Sequence, residues 1–409
     1  MDRRVLGLPA STSLMHVRGR VEQPTRSQSK GVTMKTHAIK IDRSKPLAEE
    51  PGTGHNRWHE AIPPILKVNP GEQVVVETRD ALDGQITKDS TVEDVRRVDL
   101  GRAHALTGPI YIEGAEPGDL LEVKIQAIQA ESFGFTVQAP GFGFLRDLFP
   151  EPHIIRWELA GGFAESRDLP GVRIPGAPFM GVMGVAPSKE LRESMRAREA
   201  ALAARGGIAL PPDPARAVPS TREIAQDGLR TIPPRETAGN LDIKQLVAGT
   251  TLLIPVFTRG ALFSVGDAHF AQGDGEACGT AVEMAATFQA EFGLRKGAAS
   301  QRHIRSVQFY QDGEVSNPGR KSLGRYYATT GMCLRGDGQN ESEDATLAAR
   351  NALVAMIDYL VHERGFTRPQ AYSICSVAVD LTISEMVDVP NVIVSAFLPL
   401  DIFTGGPKG

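Results

Sequence analysis

Glu116-Pro117-Gly118-Asp119-Leu120-Leu121-Glu122-Val123-Lys124-Ile125-Gln126-Ala127-Ile128 is the stretch on which the reading of the fold turns. Pro117-Gly118 suits a type II turn, because Pro presets φ and Gly accepts a positive one. After the turn, Leu121, Val123, Ile125 and Ala127 alternate with Glu122, Lys124 and Gln126, the period of two that marks a half-buried strand. The same form occurs upstream, where Asn69-Pro70-Gly71-Glu72 leads into Gln73-Val74-Val75-Val76-Glu77-Thr78. Residues 250–257, 261–265 and 392–398 read as further strands. Strands separated by Gly/Pro turns predict a β-rich, α+β fold with an antiparallel, sandwich-like core and only a few helices. The composition agrees: 42 glycines and 28 prolines among 409 residues exceed the roughly 12% of ordinary usage and follow no period.

Two helices stand out. One follows Ser188 and runs from Lys189 to Arg205, ending at Gly206-Gly207; its sparse apolar positions (Leu191, Met195, Leu202) predict a mostly solvated element. The clearest runs from about Glu343 to Arg364, with Leu353, Val354, Ile357, Leu360 and Val361 as its apolar stripe, Ser342 as its cap and Gly365 as its end. Thr367 and Pro369 start a shorter one, so the helical region spans about 342–376.

The bulk properties exclude several classes. A net charge of −4, from 45 basic against 49 acidic residues, gives no long-range attraction to nucleic acid or an anionic membrane. No run approaches the roughly 20 apolar residues of a spanning helix. Cys278, Cys333 and Cys375 are odd in number and far apart, which argues against a disulfide framework and for a reducing cytoplasm. The first 33 residues are rich in Arg, Ser and Thr, a composition that resembles a transit peptide. Residues 1–36 are therefore set apart as a disordered leader, or as the product of a start placed too early with Met34 as the true one.

Familiar catalytic signatures are absent: there is no Gly-x-Ser-x-Gly elbow, no His-Glu-x-x-His, no P-loop and no dinucleotide fingerprint. The chemistry concentrates instead in residues 264–280, Ser264-Val265-Gly266-Asp267-Ala268-His269-Phe270-Ala271-Gln272-Gly273-Asp274-Gly275-Glu276-Ala277-Cys278-Gly279-Thr280. On a strand, Asp267 and His269 project from one face. Gly273 and Gly275 allow a tight reversal that brings Asp274 or Glu276 back beside them. His plus carboxylates suits Zn²⁺, which accepts N and O ligands; the plainer alternative is a Gly-rich surface hairpin with solvated acids. Other candidates are His55 and His59 in a loop before Pro63-Pro64, Glu113 near a turn, the polar stretch Arg235–Asp242, and Cys278 as a nucleophile or a small packed residue.

Together these segments closely resemble the acetamidase/formamidase family. The matching stretches are GHNRWH (54–59), DALDGQI (80–86), LTGPIYIEGAEPGD (106–119), GVMGVAPS (181–188), PPRETAGNLDIKQL (233–246), SVGDAHFAQGDGEACGT (264–280) and VDVPNVIVSAFLP (387–399). The resemblance covers roughly 37–404 and implies one catalytic domain over residues 37–409. It further implies hydrolysis of short aliphatic amides such as formamide or acetamide to carboxylate and ammonia, a homo-oligomer, and a bound divalent metal, Zn first among candidates. Asp267, His269 and Glu276 are then the metal ligands. Glu113 or Glu236 shuttles a proton, Asn240 stabilises the oxyanion, and His55, His59, Asp274 and Cys278 stand near the small neutral substrate. Many relatives read Glu-Asn-Gly-Gly-Asn where this chain has Glu236-Thr237-Ala238-Gly239-Asn240, a departure that bears on substrate size. Two alternatives stay open: a metal-free amidase with Cys278 as nucleophile, and a non-catalytic small-amide binding protein on the same scaffold.

Overall fold

The alternation after Pro117-Gly118 becomes the longest strand of the protein, Leu120–Gln138. The computed structural model describes residues 35–313 and 324–403; the expected leader, apart from its last two residues, lies outside these. The first strand begins at Thr36 and runs parallel to Gln73–Thr78. Leu120–Gln138 pairs antiparallel with Glu283–Arg295 along most of its length, with Thr250–Pro255 on its other edge, and with His153–Ala160 at its far end. Pairing continues from Thr250–Pro255 through Gln308–Gln311 and Tyr326–Gly331 to Ile393–Pro399. From Glu283–Arg295 it continues to Phe263–His269 and then Phe179–Gly184. Among the described residues 18 strands join in one mostly antiparallel network, the β-rich architecture that the turn-and-strand pattern predicts.

The main core lies between the folded-over layers. It takes Val74 and Val76 from one strand, Leu121, Val123 and Ile125 from the long one, and Phe263, Phe288, Phe292 and Phe309 from their neighbours. Thr250–Pro255 is buried on both faces: Leu252 and Ile254 enter this core, while Leu253 points to a second one under the C-terminal helices. That double burial explains why the segment reads as a continuous apolar run rather than an alternation.

The helices are placed close to expectation but use different faces. Ala345–Arg364 is capped by Asp344, whose side chain accepts from the Leu347 N–H, and not by Ser342; Gly365 ends it at φ 72°. Its buried stripe is Ala348, Ala352, Met356, Ile357 and Leu360, while Val354 of the predicted stripe is exposed. The cause is a close approach to the sheet. A Cβ on Gly331 would lie 2.1 Å from the Ala348 carbonyl oxygen, so alanines rather than leucines face the strand. Lys189–Ala204 follows its Ser188 cap as expected. Most of it is exposed, as expected, but its inward side buries the charged Arg192 and Glu199 beside Met195 and Leu202. Arg368–Ala378 begins at a Thr367 capping box. No helix among the described residues is long and apolar enough to cross a membrane.

Candidate active site

The site is built where Phe263–His269 leaves the sheet. Asp267 adopts φ 57°, and the pairing with Phe179–Gly184 skips it, running from Val182–Gly266 to Met180–Ala268. This irregularity turns the Asp267 carboxylate toward His269, whose Nε2 lies 3.3 Å from Asp267 Oδ1. Across the neighbouring strand pair, His269 faces Glu283 in register, which sets Glu283 Oε2 3.1 Å from the same Nε2. The Gly273–Gly275 reversal then brings Glu276 back, with Oε1 3.9 Å from Nε2. Asp242 approaches from the loop after Ala238–Asn240, its Oδ1 3.7 Å from His269 Nδ1. Two groups of three thus share His269: Asp242, His269 and Glu276, and Asp267, His269 and Glu283.

Gly181 forms the floor. A Cβ there would lie 2.4 Å from Asp242 Oδ1 and 2.5 Å from Asp267 Oδ2, so only glycine leaves the carboxylates room. Asp388 and Glu385 close the far side. Asp388 accepts from Asn240 Nδ2 at 2.7 Å, and Glu385 accepts from the Val387 and Asp388 N–H groups at 3.0 Å. His104 stands on the open side, 4.0 Å from Asp267.

The electrostatics follow from burial. Six carboxyl groups (Asp242, Asp267, Glu276, Glu283, Glu385, Asp388) are buried around two imidazoles. Burial pushes Glu283 up to about 7 and Glu385 up to about 8. Burial, then the neighbouring Asp242, raises Glu276 well above the usual carboxylate range, and Asp388 likewise. Burial also opposes the charged forms of Asp267 and His269, yet the neighbouring charges win: His104 and then His269 hold Asp267 low, and Glu283 and then Asp267 hold His269 high.

One detail decides what fits. Gln272 Nε2 donates to the Asp242 carbonyl at 2.7 Å, which orients its Oε1 toward His269 Nδ1 at 2.9 Å. An amide oxygen only accepts, so Nδ1 carries a proton and donates. Nε2 is left aimed at three carboxylates. Asp242 Oδ1 and Glu283 Oε2 accept no hydrogen bond although they are buried. A lone pair and carboxylates converging on one point require a proton or a cation there. The imidazole-and-oxygen donor set, with the other ring nitrogen fixed by an outer hydrogen bond, suits a divalent metal.

The structure brings Asp267, His269 and Glu276 together, with Asn240 beside them, and leaves the other candidates outside. Asp274 lies at the surface against Lys244, because the reversal turns only Glu276 inward. Glu113 is exposed on a turn. Glu236 is taken by Arg198, whose Nη2 donates to Oε2 at 2.7 Å, so it is not free to shuttle a proton. His55 bonds Ser264 Oγ at 2.7 Å, and burial lowers it to about 4; His59 Nδ1 accepts from the Ala61 N–H at 3.0 Å. Both serve a loop held by fully buried Arg57. Cys278 is half-buried, its Sγ 3.4 Å from the Thr280 carbonyl oxygen. Asp242, Gln272 and His104 belong to polar stretches that stand out in the sequence but carry no assigned role there, and Glu283, Glu385 and Asp388 enter the site unforeseen. Only strand pairing reveals Glu283, whereas Asp242 and Asp388 belong to stretches that match the family.

A cavity of about 40 Å³ opens onto the cluster, lined on that side by His104, Asn240, Asp242, Asp267, Glu276, Glu283 and Asp388. The chain is 37% identical to a formamidase of Methylophilus methylotrophus over 90% of its length and 94% of that protein's. It is 37% identical to an acetamidase of Mycolicibacterium smegmatis, covering 82% and 87% of the two chains. A γ-lactamase from Delftia acidovorans has a similar structure, with TM-score 0.67, 36% identity and coverage of 90% and 94%. These relatives make the protein a hydrolase that cleaves amides. The family profile matches residues 40–405, and the chain belongs to the acetamidase/formamidase family.

Proposed function

We propose that the protein hydrolyses short, neutral aliphatic amides to a carboxylate and ammonia, with a divalent cation, Zn²⁺ first among candidates, held by the cluster around His269. The observation that carries this reading is His269 Nε2, aimed at Asp267, Glu276 and Glu283 while Nδ1 donates to Gln272. Asp242, Asp267, His269, Glu276 and Glu283 are the residues that would hold the ion. When bound, it supplies Lewis-acid polarisation of the amide carbonyl and a lower pKa for water.

The remaining work falls to the chain's own groups. Ammonia leaves only when the nitrogen is protonated. Asp388, which lines the cavity outside the ion-holding set and is raised well above the usual carboxylate range by burial and then by Asp242, is the buried acid placed to deliver that proton. Asn240 would hold the amide head: one Nδ2 hydrogen goes to Asp388, the other is left for the developing oxyanion, and its buried Oδ1, which has no partner, accepts from the NH₂ of the substrate. A volume of about 40 Å³ holds about three waters, close to the heavy-atom count of formamide or acetamide. No arginine or lysine lines the cavity among the described residues, which suits a neutral substrate.

The test is ammonia release by purified protein from formamide, acetamide, propionamide and urea, with and without chelator, alongside elemental analysis. γ-Butyrolactam belongs in the panel because a relative is a γ-lactamase. Turnover lost on stripping and restored by Zn²⁺ is expected. Full turnover in protein shown to be metal-free overturns the metal, and no ammonia from any amide overturns the reading.

A further inference from the structure

The cavity has two unlike ends. Opposite the acids, its wall is Leu82, Val98, Leu100, Phe142 and Ile232, which belong to a hydrophobic cluster separate from the main core. Breaking an amide bond requires no apolar wall, so this end asks for an apolar group on the substrate.

Phe142 has a further property. It lines this cavity and also a hollow of about 120 Å³ on its outer side, where Leu145, Phe149 and Cys278 form the wall. The ring is therefore the partition between two spaces. It is held in place by the segment that carries Glu276. The Phe144 N–H donates to the Ala277 carbonyl at 2.9 Å, a Cβ on Gly143 would lie 2.9 Å from the Cys278 carbonyl oxygen, and a Cβ on Gly279 would lie 2.4 Å from Phe142 Cδ1. The partition is thus fixed relative to the acid and not to a freely moving loop tip.

We infer that the apolar end receives the alkyl group of the amide and that Phe142 is the residue that limits its length; this rests on the amide-hydrolase reading above. With the amide head at Asn240 and the acids, the alkyl carbons extend toward Leu82, Val98 and Ile232 and stop at the Phe142 ring. Removing the ring opens the cavity into the outer hollow, where each added methylene gains about fourfold in binding, the factor equivalent to about 0.8 kcal/mol per CH₂.

The experiment is kcat/KM for formamide, acetamide, propionamide, butyramide and valeramide in wild type, Phe142→Ala, Phe142→Leu and Ala139→Leu. Ala139 also lines the cavity. Phe142→Ala should raise the valeramide-to-acetamide ratio at least tenfold, with Phe142→Leu in between, and Ala139→Leu should lower it. A ratio within twofold of wild type in Phe142→Ala, or an equal fall for every amide, overturns the inference. Where Phe142→Ala shows no melting transition, Ala139→Leu decides: a lowered ratio supports the inference and an unchanged one overturns it. If wild type releases no ammonia from any member, the amidase reading has failed instead, and the two failures are distinct.

Discussion

Two buried polar regions sit in this fold, and they are resolved in opposite ways. Around Lys189–Ala204 the buried Glu199 and the half-buried Glu60 and Glu236 each meet a guanidinium. Arg235 grips Glu199 with two parallel bonds of 2.7 and 3.0 Å, Arg192 grips Glu60 with two of 2.8 Å, and Arg198 holds Glu236. Around His269 six buried carboxyl groups face two imidazoles and no guanidinium. The first region is complete within the chain and holds a helix against the sheet. The second is incomplete without a proton or a cation. Glu60 and Glu236 of the first are held low by their arginines although partly buried; Glu276, Glu283 and Asp388 of the second are pushed up. A buried acid therefore marks chemistry here only where no arginine reaches it.

The sharpest way to break this contrast is His269→Ala. With the shared ligand gone, turnover should fall by at least about 10⁴-fold, equivalent to about 5.5 kcal/mol of transition-state stabilisation, and metal content should fall with it while the melting transition persists. Undiminished metal and turnover would put the two regions on the same footing. Next comes Arg235→Leu, which strands Glu199 as a buried, unpaired charge. It should cost about 3–5 kcal/mol in urea denaturation yet leave the metal content of the folded protein unchanged. Replacing Arg235 and Glu199 together by Met and Leu should recover most of that loss, because a buried ion pair is close in free energy to a well-packed apolar pair. No apolar replacement should rescue the His269 cluster.

A smaller effect tests the tautomer. Gln272→Ala removes the acceptor that fixes the His269 Nδ1 proton, and metal affinity should fall about 10–100-fold, the usual consequence of losing such an outer hydrogen bond. Titration with Zn²⁺ under competing chelator reads it directly. Unchanged affinity would mean that the carboxylates alone orient the ring.

The sequence exposed these regions unequally. Strands with a strong alternation, such as Leu120–Gln138, and the capped helices were legible because local patterning and capping chemistry agree with the final fold. Glu283–Arg295 carries an equally regular burial alternation, but its inward residues are Met284, Ala286, Phe288, Ala290 and Phe292, and the alanines dilute the hydrophobic signal. Asp267, His269 and Glu276 were legible as a local group because one strand end and one Gly-rich reversal bring them together. Glu283 joins them only through cross-strand register, and Asp388 and Glu385 join from more than a hundred residues away; no spacing rule reaches those. Glu236 shows the converse. It was placed in the catalytic apparatus because it sits in a matching stretch, but the deciding fact is Arg198, which approaches from another element.

The smallest expected effect concerns Cys278, and it separates the two readings of hydrolysis. A thiol nucleophile must reach the carbonyl and have a base beside it. Cys278 does neither here. Its Sγ lies near the Thr280 and Val137 carbonyl oxygens, which cannot take its proton, and it lines the outer hollow behind Phe142 instead of the cavity that meets the acids. Cys278→Ala should therefore keep turnover within about threefold of wild type, and mass spectrometry during turnover should find no acyl adduct on the protein. A loss of a thousandfold or more, with metal content intact and an adduct on the wild-type thiol, would move the chemistry to the other side of the Phe142 partition. It would also leave the acid cluster without a catalytic role. The geometry opposes that outcome because the acids and the sulfur face different spaces, and an amide in the cavity meets only the acids.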